Sequence, residues 1–489
     1  MLKKQVPATS IRRRVYRYLH LLLLTSYLSA STLSLSTMYS TIPLAITICA
    51  IGVVAHSPSS YHFDPLKHLA GVAPPFDPLD PATDPAPPQG CNVTRVAILS
   101  RHAAIYSNDF DYETFIEPFI NKLSNTTIDW TKVPILSFLA TWKNPITDAE
   151  QEMLTRAGKL EATNLGVDVA QRYQSLRNPS EIWTSTADRT VKSAKSFAYG
   201  LADDAATIKI VEVSEGEEEG ANSLTPYESC PEYSSSAGSD QSEEYRNVYA
   251  TPAALRFNAA APSFNFTPTD IYGMSLLCGY ETVIRGSSPF CSLDVLSPNE
   301  WLGFEYTNDI QYFYNTGYGN PVSGAIGFPW VNATFDLLTK EQNTKSNDTE
   351  DQDLYVSFTH RELPPTVLVA LGLFNNSAFS GANINETMPL DTINHHRAWV
   401  SSNILQFLTN IAIEKMECDS FGFDAGTYYR VLVNNSPQTL DGCRSGPGES
   451  CVESSLSTWL VERAEVVGDY GEMCQVDYSN STNVLSIYQ

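Results

Sequence analysis

Three segments of this chain share one layout, in which a short apolar run leads through polar residues into a pattern typical of a helix. They cover residues 93–102, 181–198 and 354–364. Each segment predicts a strand, a loop and a helix, which is the repeating unit of an open α/β sheet. Ligands bind such sheets outside the carboxyl ends of the strands. We therefore expect one crevice to collect the polar residues that follow these strands, which are Arg101, His102, Arg189, His360 and Glu362.

The order of these segments resembles the histidine acid phosphatase family, especially its phytase and acid phosphatase branch, over roughly Cys91 to Cys474. Residues 91–102 resemble the first strand and nucleophile loop of the family, and residues 185–189 resemble its second arginine segment. The resemblance implies an α/β fold with a phosphoglycerate mutase-like three-layer core and an inserted, mostly helical cap. In residue numbers, the histidine acid phosphatase domain would span 91–489, with the core at about 91–215 and 346–489 and the cap at about 216–345.

The resemblance also implies a role for each residue of the expected crevice. His102 would attack phosphorus as the nucleophile and form a phosphohistidine that water then hydrolyses. Glu362 would protonate the leaving alkoxide. The phosphoryl oxygens would be bound by N–H donors of the remaining side chains, namely Arg101, Arg189, His360 and Arg361. The expected enzyme is a secreted acid phosphatase that hydrolyses phosphomonoesters, with phytate as a further substrate.

Two departures from the family pattern lie in the crevice itself. The family motif Arg-His-Gly-x-Arg-x-Pro is matched here by Arg-His-Ala-Ala-Ile-Tyr-Ser, so Ile105 stands where a phosphate-binding arginine is usual. Losing one such donor typically costs about 2.7–4 kcal/mol of transition-state stabilisation. The later His-Asp motif becomes His360-Arg361-Glu362, and Arg361 is the obvious replacement for the missing cation. On this basis Ile105→Arg should raise the rate, while a catalytically impaired glycoprotein that acts as a binding scaffold is the alternative function.

Charge and residue spacing narrow the classes of partner. The 489 residues contain 31 Lys and Arg against 55 Asp and Glu, for a net charge of −24. This balance argues against nucleic acid, which needs a basic surface. No Cys/His spacing resembles a zinc site, and we treat the adjacent His395 and His396 as structural or surface residues. The expected partner is a small phosphorylated substrate, with no metal and no other cofactor.

The N-terminal residues read as a targeting segment. Six Lys or Arg residues precede or border two apolar stretches within residues 1–55, as in a signal peptide or signal anchor. A cleaved signal is favoured, so the protein would be secreted, and it would attach to a membrane only if the segment were retained. Met38 offers an alternative start. The proline-rich residues 58–90 would form a linker or an arm on the surface.

Eight of the nine cysteines lie outside the targeting segment, as expected for a disulfide-bonded secreted protein. Spacing alone allows 105 pairings of eight cysteines. The family resemblance implies Cys91–Cys418, Cys230–Cys474, Cys278–Cys291 and Cys443–Cys451. Nine Asn-x-Ser/Thr sequons indicate a glycoprotein, at Asn92, Asn125, Asn265, Asn332, Asn347, Asn375, Asn385, Asn434 and Asn480.

Periodicity predicts further elements. Helices are expected at residues 148–173, within 301–318, at 366–374 and at 399–413, with a late strand at 428–434. The acidic residues 215–219 and the serine-rich and acidic residues 234–244 should form solvated loops.

Overall fold

The computed structural model of the chain describes residues 63–78, 84–340, 352–377, 383, 386–479 and 481–488. The expected targeting segment lies outside these residues, as do the sequons at Asn347, Asn385 and Asn480. In the part that is described, no helix is both long and apolar enough to cross a membrane.

Among the described residues, eight strands form one mixed sheet. They are β1 (Cys91–Arg101), β2 (Glu181–Ser185), β3 (Lys209–Val213), β4 (Leu354–Thr359), β5 (Asn410–Cys418), β6 (Gly426–Val433), β7 (Ser436–Gln438) and β8 (Cys451–Val452). The order across the sheet is β3-β2-β4-β1-β5-β6-β7, and β8 also pairs with β6. The first four strands are mutually parallel, whereas β5 is antiparallel to β1. Because β4 is buried along its whole length, both faces of the sheet are covered at its centre.

The helices supply that cover and form the insertion between β3 and β4. They are α1 (Asp109–Asp111), α2 (Glu117–Ser124), α3 (Arg156–Arg172), α4 (Asp188–Leu201), α5 (Ser239–Ala260), α6 (Pro268–Arg285), α7 (Pro298–Asn315), α8 (Ser323–Thr339), α9 (Leu363–Leu371), α10 (Ser401–Ile404), α11 (Glu453–Val467) and α12 (Tyr470–Cys474). A π-helical turn over Tyr112–Ile116 joins α1 to α2. The expected α/β class with a mostly helical insertion is confirmed.

Helix packing separates the insertion into two parts. Helices α5, α6 and α7 pack against one another, whereas α8 packs against α9 and β1. Helix α8 therefore lies with the sheet, although it falls within the residues predicted as the cap.

Helices α3 and α4 pack closely together. A Cβ on Gly200 would lie 1.8 Å from the carbonyl oxygen of Thr163. Only a residue without a side chain permits this approach.

Two helix predictions need correction. Residues 399–413 contain only the short helix α10 before β5 begins at Asn410. The first half of β5 is buried on both faces, so the apolar residues 411–413 do not alternate and the run is ambiguous between helix and strand. The helix expected from residue 148 begins at Arg156, because the Thr155 hydroxyl accepts a hydrogen bond from the Gly158 N–H and caps α3 there.

The prediction of a surface linker at residues 58–90 is wrong for part of its length. We call residues 63–78 the N-terminal strap. Leu69, Ala70 and Ala73 in the strap have no exposed surface. The Ala70 N–H donates to the Ser402 hydroxyl at 3.0 Å, and the Ala73 carbonyl accepts from Phe407 N–H at 3.1 Å. The apolar run between the prolines is buried because its removal from water is favourable, which the overall proline content does not reveal.

The covalent framework matches the expectation. The structure contains the disulfides Cys91–Cys418, Cys230–Cys474, Cys278–Cys291 and Cys443–Cys451. Each native disulfide in a secreted domain typically adds about 2–5 kcal/mol to the free energy of unfolding.

The sequons differ in accessibility. Asn92, Asn125 and Asn265 are exposed, whereas Asn434 is buried and its amide donates to the Asn403 carbonyl at 2.7 Å. The folded protein therefore does not present Asn434 for glycosylation.

Candidate active site

The carboxyl ends of β1 and β4 bring two histidines together. These parallel strands pair in register, with Arg101 opposite Thr359. The His102 N–H donates to the Thr359 carbonyl at 2.9 Å, so His102 and His360 each follow a paired strand end. Their ring centroids lie 6.0 Å apart in an edge-to-face arrangement. This is the crevice position that the strand-end rule predicts.

The protonation of His102 follows from its contacts. Its Nδ1 lies 2.9 Å from the Ala103 carbonyl oxygen. A carbonyl can only accept, so Nδ1 carries the proton and Nε2 keeps its lone pair. Burial, followed by the charges of Arg101 and Arg189, holds the pKa of His102 well below 6.5. The imidazole is therefore neutral in mildly acidic solution, as a nucleophile must be.

Arg101, the last residue of β1, is buried and held by several contacts. Its Nη1 donates to the carbonyls of Gly71, at 2.6 Å, and Leu405, and its guanidinium carbon lies 4.6 Å from the Phe407 ring centroid. Burial and the charge of Arg361 lower the pKa of Arg101 to about 10, which leaves it cationic at neutral pH. The N-terminal strap thus fixes a proposed phosphate-binding residue through Gly71.

Arg189, the second residue of α4, is bound on both sides. Its Nη2 donates to His360 Nδ1 at 2.8 Å, and its Nη1 lies 2.9 Å from Oε2 of Glu152. Since Nδ1 of His360 accepts, the ring proton sits on Nε2, which lies 3.3 Å from both the Ser185 hydroxyl and Glu215 Oε1. In this arrangement His360 orients Arg189, and Glu152 balances its charge.

Glu215 belongs to the site, so its assignment to a solvated acidic loop is wrong. It contacts His360, and it accepts the Ala187 N–H at 3.1 Å. Burial opposes ionisation, but hydrogen bonds, with that from His360 the strongest, lower the pKa of Glu215 to about 2. Glu215 follows β3, which is parallel to β2. The strand-end rule that selected the other residues could therefore have found it.

Arg361 and Glu362 form an ion pair at the N-terminus of α9. Arg361 Nε donates to Glu362 Oε1 at 2.9 Å, and the guanidinium lies 6.0 Å from the Tyr312 ring centroid. Burial alone would raise the pKa of Glu362, but Arg361 and His360 lower it below its usual value. The free protein thus holds Glu362 as a carboxylate at neutral pH. The charge of Arg361 also contributes to the lowered pKa of Arg101.

A cavity of about 460 Å³ opens beside this pair, between the sheet ends and the cap helices. Its lining includes Arg361, Glu362 and Asp111. Asp111 accepts a hydrogen bond from the Tyr280 hydroxyl at 2.5 Å, and burial raises the pKa of Asp111. Neither Asp111 nor Glu152 follows a sheet strand, so sequence reasoning gave no reason to select them. Substrate-sized clefts of this kind are typical of small-molecule sites.

Ile105 occupies the position where the family motif has an arginine. Its side chain belongs to the hydrophobic core with 2% exposure, and its backbone forms a single antiparallel bridge with Leu154. The rise in rate expected for Ile105→Arg stays a prediction, and the burial of Ile105 adds an expected effect on stability. We expect this change to lower the free energy of unfolding by at least about 2 kcal/mol, because it buries an unpaired charge.

Thermal or urea unfolding of the variant measures that change, with Ile105→Val as the matched control. Ile105→Val keeps the apolar character of the side chain and should lower the free energy of unfolding by about 0.5–1.5 kcal/mol. An Ile105→Arg protein that is as stable as wild type would contradict the expected loss of stability, and faster hydrolysis of aryl phosphates would support the expected rise in rate.

Comparison with known proteins agrees with this geometry. Residues 92–434 match the model of the histidine phosphatase superfamily (branch 2). An acid phosphatase of Komagataella pastoris is 32% identical over 401 residues, which cover 79% of this chain and 81% of that protein. A phytase of Candida albicans is 29% identical, with 82% of this chain and 83% of the relative covered. The crystal structure of the phytase from D. castellii superimposes with a TM-score of 0.78 at 24% identity and covers 89% of this chain and 93% of its own. The chain therefore belongs to branch 2 of the histidine phosphatase superfamily.

Proposed function

We propose that this protein is an acid phosphatase that hydrolyses phosphomonoesters through a phosphohistidine on His102. The observation that carries the proposal is the state of His102, whose Nε2 lone pair is free of a proton while two arginines and a histidine surround the ring. A neutral nucleophile among fixed cationic donors suits attack on a phosphoryl group. The relatives named as acid phosphatases and a phytase support the same substrate class.

In the first step, the Nε2 lone pair of His102 forms a bond to phosphorus and the bond to the leaving oxygen breaks. Arg101 and Arg189 stabilise the charge on the phosphoryl oxygens, and Arg361 adds the third cation. Glu362 gives its proton to the departing alkoxide. In the second step, water attacks phosphorus, the P–N bond breaks back to His102, and Glu362 recovers a proton from that water.

The protonated form of Glu362 needs an explanation, since Arg361 lowers its pKa in the free protein. A bound phosphoryl group is an anion that competes for Arg361. Its charge should weaken the ion pair and raise the pKa of Glu362. An acidic medium shifts the same equilibrium further toward the proton donor, which fits an acid phosphatase.

We further propose that the protein works outside the cell. Four disulfides and several exposed sequons support an oxidising, secretory location. The N-terminal residues would then act as the signal, as proposed from the sequence. For phytate, the lining of the cavity is unfavourable, because it contains Asp109, Asp111, Glu243 and Glu362. We therefore propose small phosphomonoesters as the main substrates.

Phosphate release from 4-nitrophenyl phosphate by the purified, glycosylated protein tests this function. We expect turnover that is fastest in acidic buffer. A folded wild type that neither releases phosphate nor binds it would contradict the enzyme and support the binding-scaffold alternative.

The pH dependence of phosphoenzyme formation should reflect the low pKa of His102. The lowered pKa keeps the imidazole neutral as the pH falls through 6.5, so phosphoenzyme formation should not decline between about pH 7 and pH 5. Rapid-quench measurement at saturating substrate, over that range, records this step. Arg189→Met removes one of the charges that lower the pKa and should shift the acidic decline to higher pH. A wild-type decline centred near pH 6.5 would show that His102 is not the titrating nucleophile.

A further inference from the structure

We propose that Arg246 forms a second anion-binding position in the crevice, so that the preferred substrates are phosphomonoesters whose leaving alcohol carries one further anionic group. This inference rests on the proposed function, because it assigns a substrate class to the same crevice. It concerns the cavity that Arg361 and Glu362 line together with residues of the cap, and His102 and His360 are not among the lining residues.

Arg246 projects from α5 into the wall of the cavity that Arg361 and Glu362 also line. The residue is 9% exposed. Two aromatic rings hold its guanidinium in place, with the central carbon 5.1 Å from the Phe115 ring centroid and 5.5 Å from that of Tyr272. Both rings line the same cavity. The charge is therefore fixed in position at the edge of a substrate-sized space.

The charge of Arg246 is incompletely balanced. The nearest carboxylate oxygen recorded, Oε1 of Glu243, lies 3.6 Å from Nη2, and Glu243 is largely exposed to solvent. This separation exceeds a normal hydrogen bond, and an exposed pair contributes little. Nε of Arg246 is buried and has no hydrogen-bond partner among the described residues. A buried donor without a partner is unfavourable, so the guanidinium keeps hydrogen-bonding capacity that the protein does not use, and an anionic group in the cavity that contacted the guanidinium would gain a charge-assisted hydrogen bond.

The remaining lining limits how many anions can bind. Of the described residues that line the cavity, Arg246 and Arg361 are the basic ones. Arg361 is paired with Glu362 beside the phosphoryl site, which leaves Arg246 for one distal group. Asp109 and Asp111 would repel additional negative charge. The lining thus fits a substrate with one distal anion better than a neutral alcohol or a highly phosphorylated one.

A matched pair of substrates tests this inference. Propane-1,3-diol monophosphate and propane-1,3-diol bisphosphate differ only in the second phosphate. We expect wild type to show a KM at least about tenfold lower for the bisphosphate, equivalent to about 1.4 kcal/mol. Arg246→Met should remove that difference with little change in kcat, while Arg246→Lys should keep part of it because the charge remains. Glu243→Gln should keep or increase the preference, since it removes a competing carboxylate. Melting temperatures show whether each variant is folded.

The outcomes separate the two proposals. Equal KM values for both substrates in wild type, or an equal rise in both KM values in Arg246→Met, would overturn the role of Arg246.

If wild type turns over neither substrate, the proposed function fails. Titration calorimetry with the same two compounds then decides the role of Arg246 independently. Tighter binding of the bisphosphate that is lost in Arg246→Met supports the anion position, and equal binding of both compounds refutes it. If Arg246→Met does not fold, the comparison of wild type with Arg246→Lys gives the same test.

Discussion

Replacing His102 with alanine is expected to reduce turnover of 4-nitrophenyl phosphate by at least about 10⁴-fold, because loss of a catalytic nucleophile costs as much or more in well-studied hydrolases. Arg101 and Arg189 remain in the variant and can still bind phosphate, so the loss should lie in kcat. Their fixed charges cannot replace the bond that Nε2 forms to phosphorus. Initial rates and rapid-quench trapping of an acid-labile phosphohistidine measure both parts of the prediction.

His396→Ala is the matched control, because His396 is exposed and lies outside the crevice. It should keep the wild-type rate and the wild-type phosphoenzyme. A folded His102→Ala protein with undiminished activity, or a phosphohistidine that maps to another residue, would refute the mechanism. Loss of phosphoenzyme without loss of steady-state turnover would also refute it, since water would then be attacking the substrate directly.

The part of the site that the sequence could predict depends on regular strands. Parallel strands in register bring their carboxyl ends to one edge, so Arg101-His102 and His360 meet once β1 and β4 pair. Arg189 follows from the same rule through β2 and α4. The rule would also have included Glu215, had its acidic neighbours not indicated a solvated loop. The family resemblance supplied the chemical roles and the order of the disulfides.

The parts that could not be predicted depend on packing between distant segments. The N-terminal strap contacts Arg101 through Gly71 and is 30 residues away from it along the chain. Glu152 has a positive φ of 61° and lies in an irregular turn before α3, where no periodicity identifies it. Arg246 sits in a helix whose apolar and polar residues do not separate clearly into faces. In each case the position is set by tertiary contacts, which a local pattern does not contain.

Two arginines of the site form ion pairs with carboxylates, and a bound phosphoryl group could take the place of those carboxylates. In the free protein Arg189 lies against Glu152, and Arg361 lies against Glu362. Each pair stabilises its guanidinium at the crevice without a ligand. A bound phosphate dianion offers oxygen acceptors to both arginines and leaves the carboxylates without their partners, which favours protonation of Glu362. In the proposed mechanism, substrate binding would thereby prepare Glu362 as the proton donor.

Removing the Arg361 charge is expected to lower kcat for 4-nitrophenyl phosphate by about 10²–10³-fold, equivalent to about 2.7–4 kcal/mol. Ile105 leaves the site without the usual motif arginine. Arg361 is a partly exposed cation in the position after His360, and its charge lowers the pKa of Arg101. Arg361→Met is a suitable variant because it keeps much of the length and apolar surface of the side chain. Steady-state kinetics with Arg361→Lys as the charge-conserving control measure the effect.

The leaving group distinguishes this role from that of Glu362. Nitrophenolate needs little protonation, so Glu362→Gln should slow 4-nitrophenyl phosphate far less than a simple alkyl phosphate, whose alkoxide must receive a proton. Arg361→Met acts in the opposite sense on the donor, because it removes the main charge that lowers the pKa of Glu362. Its loss of rate should therefore be no larger for the alkyl phosphate than for the aryl phosphate. If Arg361→Met retains the wild-type rate, Arg361 is not the replacement cation. If Glu362→Gln slows both substrates equally, Glu362 positions the substrate or Arg361 and does not protonate the leaving group.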